Sequence, residues 1–194
     1  TLTYAVSGVK TDGTEFNYNW LSYDDTTAEL QNAGNVGIMY IDAEGGTMAI
    51  DSFKYTTTDK DYPISVTNDD FTAEPDSNWQ AVKDGILTFG DGNMQIGYSG
   101  SYDSNSRFNN RVQYNSPAVN QLIEVEIPVS DVDNRALAGE GASYPVLWLR
   151  DQKINGNQVG YFADYTGNNL YIYRRNTDGT TTKIAGSGTF VLNG

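Results

Sequence analysis

Pro145-Val146-Leu147-Trp148-Leu149-Arg150, Gln158-Val159-Gly160-Tyr161-Phe162-Ala163-Asp164-Tyr165, Asn169-Leu170-Tyr171-Ile172-Tyr173-Arg174-Arg175 and Thr181-Thr182-Lys183-Ile184-Ala185 succeed one another, with Asn155-Gly156 and Asp178-Gly179 between them. The alternation in these segments has the period of two that sends successive side chains to opposite faces of a strand. Asn-Gly and Asp-Gly tolerate the positive φ of tight hairpin turns. The stretch therefore predicts an antiparallel meander. The same punctuation recurs at Asp12-Gly13, Asp84-Gly85 and Asp91-Gly92, with further strands expected over residues 2–7, 15–20, 34–41, 48–55, 85–89, 94–98, 111–114 and 122–128. Only 27–31 and 118–121 read as helical turns. So many short strands in 194 residues predict an all-β chain, a two-sheet antiparallel sandwich or a barrel.

Composition narrows the chemistry. The formal charge of −13, with no dominant Lys/Arg cluster, opposes binding to nucleic acid or to an anionic bilayer. No apolar run has the length of a membrane span, so membrane insertion is not expected. The chain has no His and no Cys, which removes His-containing triads, His/Cys zinc sites, catalytic thiols and disulfides. Asp, Glu, Tyr, Arg and Lys remain for catalysis, and oxygen ligands for a hard cation such as calcium. Absence of Cys fits a secreted protein, and absence of Asn-x-Ser/Thr sequons fits a bacterial source. A start at Thr1 reads as a processed or excised chain, in which a signal peptide would not be visible.

Thr56-Thr57-Thr58-Asp59-Lys60-Asp61-Tyr62-Pro63 is polar and closes on a proline, so it reads as a surface loop or as a linker. The loop is preferred, because residues 1–55 alone are too few to bury a sheet. A single domain over residues 1–194 is expected.

Asn68-Asp69-Asp70-Phe71, Asn78-Trp79-Gln80 and Asp84-Gly85-Ile86-Leu87 resemble the opening of a laminin G-like or concanavalin A-like sandwich. Leu147-Trp148-Leu149-Arg150, Gly160-Tyr161-Phe162 and Leu170-Tyr171-Ile172-Tyr173-Arg174-Arg175 are similar to its middle strands, and Gly37-Ile38-Met39-Tyr40 with Ile50-Asp51-Ser52-Phe53 to its last two. Residues 65–194 thus resemble the first part of the usual order and 1–58 the last. The resemblance implies a jelly-roll sandwich in circularly permuted order, with Leu192-Asn193-Gly194 and Thr1-Leu2-Thr3-Tyr4 forming a hairpin if the ends were joined. Two fragmentary domains of a tandem array are the rival reading. Carbohydrate-binding relatives often hold a structural calcium where first and last strands pair, which points to Asp51 and Asp70; the plainer role for either is turn capping. No organic cofactor is implied.

Strand phase sorts the remaining candidates. Leu147 and Leu149 share one face; Val146, Trp148 and Arg150 share the other, which is expected to be wet because an unpaired Arg is costly to bury. Likewise Leu170 and Ile172 point inward, and Tyr171, Tyr173 and Arg175 outward. Aromatic rings beside planar donors suit sugars, whose C–H faces stack on rings while their hydroxyls take hydrogen bonds. Trp148, Tyr171 and Tyr173 are therefore candidate stacking residues, with Arg150, Arg175, Tyr161, Asn17 and Asn19 as hydrogen-bonding partners. A strand aromatic that merely packs against its cross-strand neighbour is the commoner case, and Trp79 reads as structural. Glu124 and Glu126 share a face but lack the spacing of a hydrolase signature, and an amphipathic strand is the simpler account.

The expected function is non-catalytic binding of a polysaccharide or oligosaccharide by a module of a larger, secreted or cell-surface, bacterial protein. A sandwich-fold polysaccharide lyase or glycoside hydrolase is the enzymatic alternative. A structural repeat of an adhesin or surface filament is the third reading.

Overall fold

A computed structural model describes residues 1–9, 13–27, 30–41, 47–57, 65–72, 77–82, 85–98, 111–127, 144–166 and 169–186. Their strands are β1 (Leu2–Val9), β2 (Glu15–Tyr23), β3 (Gly34–Ile41), β4 (Thr47–Ile50), β5 (Ser52–Thr57), β6 (Ser65–Asp69), β7 (Trp79–Val82), β8 (Gly85–Gly90), β9 (Asn93–Tyr98), β10 (Arg111–Ala118), β11 (Gln121–Glu126), β12 (Tyr144–Ile154), β13 (Asn157–Thr166), β14 (Asn169–Arg175) and β15 (Thr181–Gly186). The chain is all-β and sandwich-like, as the period-two pattern requires. The opening meander is there as read: Asn155-Gly156 joins β12 to β13, and Asp178-Gly179 lies between β14 and β15. Gly156 and Gly179 take φ of +84° and +82° in those turns.

Seven strands form one antiparallel sheet in the order β15-β14-β13-β12-β3-β10-β7. Two three-stranded sheets, β11-β5-β6 and β4-β9-β8, and the β1-β2 ribbon complete the described structure. The large sheet's inner face sends Val36, Ile38, Tyr40, Val112, Tyr114 and Trp79 against Met48, Ile50, Phe53, Tyr55, Met94 and Ile96 from the small sheets. Phe53 and Trp79 meet edge to face at 4.6 Å, and Trp79 meets Tyr114 likewise at 5.1 Å. Trp79 is structural, as expected. Each large apolar side chain buried in this way contributes about 1.5–3 kcal/mol.

Two local readings are corrected. The strand expected over 48–55 breaks at Asp51, whose N–H donates to the Glu126 carbonyl (2.8 Å), so that β4 joins β9 and β5 passes to β11 and β6. The helical turn expected over 118–121 is a bend between β10 and β11. The turn expected over 27–31 is represented by Leu30, whose N–H donates to the Thr27 carbonyl at 3.2 Å. Strands β6 and β7 are not among those that the period-two alternation predicts. The hairpin inferred between 192–194 and 1–4 involves residues outside those described, as does most of the loop at 56–63.

The consequential correction concerns the face carrying Trp148 and Arg150. The pairing of β12 with both neighbours slips between Trp148 and Gln152, and Arg150 takes φ of +52°. This is a β-bulge, which resets the inside–outside alternation. Beyond it Arg150 lies with Leu149 and Tyr161 on the inner side, and Asp151 lies on the Trp148 side. Glycines flank the kink because nothing larger fits: a Cβ on Gly34 would sit 2.4 Å from the Arg150 carbonyl carbon, and one on Gly160, at φ of +146°, 2.9 Å from the Leu149 and Arg150 oxygens.

Candidate functional site

The outer face of the seven-stranded sheet carries a cross-strand row in which Trp148 on β12 opposes Phe162 on β13, Phe162 opposes Tyr173 on β14, and Tyr173 opposes Lys183 on β15. Trp148 and Phe162 stack with centroids 4.8 Å apart, and Phe162 and Tyr173 stack at 4.9 Å with their planes 14° apart. Exposure rises along the row. Trp148 is 0% exposed and Phe162 4% exposed, whereas Tyr171 and Tyr173 are half-buried and Lys183 is exposed. Trp148, expected as an open platform, is thus corrected to a core residue. Tyr171 and Tyr173 do lie outward, as phase predicts, with centroids 5.9 Å apart and planes at 57°. The Lys183 ammonium stands 4.2 Å from the Tyr171 centroid, a cation–π contact. Half-buried Arg175 donates through Nη1 to Thr181 Oγ1 at 3.0 Å.

Toward β10 the same face becomes a buried polar network. The Arg111 Nε and Nη2 donate to Asp151 Oδ2 and Oδ1 at 2.5 and 3.1 Å, Gln113 Nε2 donates to Oδ2 at 3.1 Å, and Gln158 Nε2 also donates to Oδ1. The Arg111 guanidinium also lies 5.7 Å from the Trp148 centroid. Burial pushes the Asp151 carboxyl up, to about 6, against the pull of Arg111 and Gln113. The premise that a face bearing Arg must be wet fails here because the guanidinium arrives with its carboxylate.

Arg150 and Tyr161, expected beside Trp148, belong to the opposite side of the sheet. The Arg150 guanidinium lies 5.9 Å from the Tyr161 centroid. Burial pushes the Tyr161 hydroxyl well above its ordinary value, as does the neighbouring Asp25 carboxylate. Burial also raises the Asp25 carboxyl, but hydrogen bonds from Thr27 and Arg174 outweigh it, so Asp25 is held below the usual carboxylate range. Arg174 closes this group with Nη1 3.2 Å from Asp25 Oδ2. A phenol so strongly held in its protonated form is a poor general base.

Asn17 and Asn19 sit on β2, but their side chains lie outside what is described. Asp51 and Asp70 flank the β5–β6 pair, where Phe53 opposes Asp69, and both are exposed. One Asp70 oxygen accepts from the Thr72 hydroxyl at 2.7 Å and from its amide at 3.2 Å, the capping role weighed from sequence, and these bonds hold its carboxyl low. Among the described residues no three Asp or Glu side chains converge as a metal site. Glu124 pairs with Lys54 at 2.7 Å and Glu126 accepts from Ser52 Oγ at 3.1 Å, both on the exposed face of β11, whose Ile123 and Val125 pack inward.

No protein-family model, curated protein or solved structure matches this chain.

Proposed function

We propose that this chain binds a polysaccharide or oligosaccharide without cleaving it, at the β14–β15 end of the outer face. The observation that carries the reading is the Tyr171–Tyr173 pair, half-exposed and backed by the Phe162–Trp148 stack. Rings held at a fixed angle by a packed second row give a sugar ring a surface that needs no ordering on binding. Lys183 and Arg175, beside the rings, supply hydrogen-bond donors for hydroxyl or carboxylate oxygens. Lys183 is the member that sequence reading missed. Its register opposite Tyr173 was the usable signal, and that register depends on the slip between Ile172 and Tyr173 in the β14–β15 pairing.

The finer fold reading accompanies this proposal: one jelly-roll sandwich over residues 1–194, permuted relative to laminin G-like sandwiches, in a secreted or cell-surface bacterial protein. In its favour, β3 pairs with both β10 and β12, and β5 with both β6 and β11, so strands from residues 34–57 complete sheets built by later ones.

Retardation in native gels containing neutral and acidic polysaccharides tests the binding. Selective retardation of the parent, with loss in Tyr171→Ala and Tyr173→Ala and no depolymerisation, is expected. Unsaturated or reducing-end products would instead favour the lyase or hydrolase alternative. No retardation on any matrix would refute glycan binding.

A further inference from the structure

On the inner side of the large sheet, where the cover passes from β11 to β1, lies a cleft of about 210 Å³. Its walls include Leu2, Leu122, Leu147, Leu149, Ala163 and Ile172, with Thr1, Thr3, Gln121 and Arg150 as its polar members. The cleft leaves Leu147 and Leu149 only partly buried although they lie on the core-facing side, and Leu122 is 54% exposed.

Arg150 is unusual in how its charge is met. Its Nε donates to the Val119 carbonyl at 2.8 Å, and its Nη1 to the Leu30 carbonyl at 3.0 Å and to Gln31 Oε1 at 3.1 Å. Every acceptor is neutral, and Nη2 makes no hydrogen bond among the described residues. Arg111 and Arg174 each hold a carboxylate. Among the described residues Arg150 holds none. The guanidinium is also fixed in place: the bulge sets its backbone at φ of +52°, Gln121 Oε1 accepts from its N–H at 2.7 Å, and three neutral oxygens clamp its head. Bulges commonly re-aim a side chain in this manner, and a non-glycine residue at positive φ persists only where its surroundings hold it.

We infer that the Arg150 cleft is a binding site for a small monocarboxylate with an apolar body, distinct from the outer-face glycan site. With the Nε–H and both Nη1–H groups taken by neutral oxygens, the two Nη2–H groups are what remains of the guanidinium to donate to a carboxylate oxygen. The apolar side chains that dominate the walls favour a hydrocarbon body over a saccharide, whose many hydroxyls each need a partner. An apolar cavity of about 150 Å³ takes a benzene-sized molecule, so this cleft suits an acid of medium chain length. The inference does not rest on the glycan reading, and either can fail alone.

Isothermal titration of the whole chain with octanoate, and in parallel with 1-octanol, tests it. Saturable one-to-one octanoate binding is expected, about tenfold or more tighter than octanol, because a charge-assisted hydrogen bond distinguishes the two. Ala163→Leu, which fills the cleft without touching Arg150, should abolish octanoate binding and leave polysaccharide retardation unchanged. Arg150→Gln should equalise the two ligands if it folds; Ala163→Leu keeps the test decisive if it does not. Equal affinity of the parent for octanoate and octanol would overturn the proposal, as would no saturable octanoate binding, full binding by Ala163→Leu, or self-association of the chain that octanoate does not reverse.

Discussion

Replacing Asp151 by Ala should be among the most damaging single changes available to this protein. The Arg111 side chain is 1% exposed and that of Asp151 0%. Removing the carboxylate takes this ion pair from a guanidinium that water cannot reach, and deprives Gln113 and Gln158 of an acceptor. Breaking a buried pair from one side costs about 3–5 kcal/mol. For a chain of this length that corresponds to a fall of about 6–20 °C in Tm. Urea unfolding followed by Trp fluorescence reads it as a lower midpoint at unchanged slope. The double variant Arg111→Met/Asp151→Leu removes both charges and should recover most of the loss, because the penalty lies in the unpaired charge rather than in the missing bond. Titration adds an independent readout. The folded carboxyl is raised to about 6, against about 3.9 when unfolded. Its contribution is therefore fully present below about pH 4 and lost as pH rises through about 6. Asp151→Asn should flatten the dependence of stability on pH over that window. A loss under about 1 kcal/mol for Asp151→Ala, or a double variant no better than the single one, would refute the reasoning.

Four further outcomes follow from the same geometry. Tyr171→Ala and Tyr173→Ala should each weaken polysaccharide binding by about tenfold, from an aromatic contact of about 1 kcal/mol plus lost area, as read by gel retardation at graded matrix concentration. Trp148→Ala should cost about 3–5 kcal/mol in stability, whereas Trp148→Phe should fold and keep its glycan retardation, since Trp148 backs the platform without forming its surface. Gly34→Ala should cost at least about 2 kcal/mol, because its Cβ would meet backbone that cannot move aside; thermal unfolding reads it. Asp25 acts in the opposite sense to Asp151: its carboxyl is held low, so its contribution is present above about pH 4 and lost on acidification, and Asp25→Asn should remove that acid-side loss in an unfolding series against pH.

What the sequence disclosed and what it hid divide at identifiable residues. Period-two alternation and Asn-Gly or Asp-Gly turns are local signals, and they placed most strands because hairpin pairing is itself local. Tyr171 and Tyr173 emerged on the outer face because β14 is regular through Ile172. Arg150 did not, for a reason no local pattern contains. The bulge at Arg150 is permitted by Gly34 and Gly160, residues 116 and 10 positions away in sequence that meet only once β3, β12 and β13 are paired. One inserted residue exchanged the sides of Arg150 and Asp151, putting a carboxylate beside Arg111 and a guanidinium beside the cleft. A single kink thus made the outer face dry at Trp148 and charged the inner cleft. Phase counted from Leu147 holds to Leu149 and inverts at the next residue, so the most informative part of the molecule is where extrapolation along the strand stops being valid.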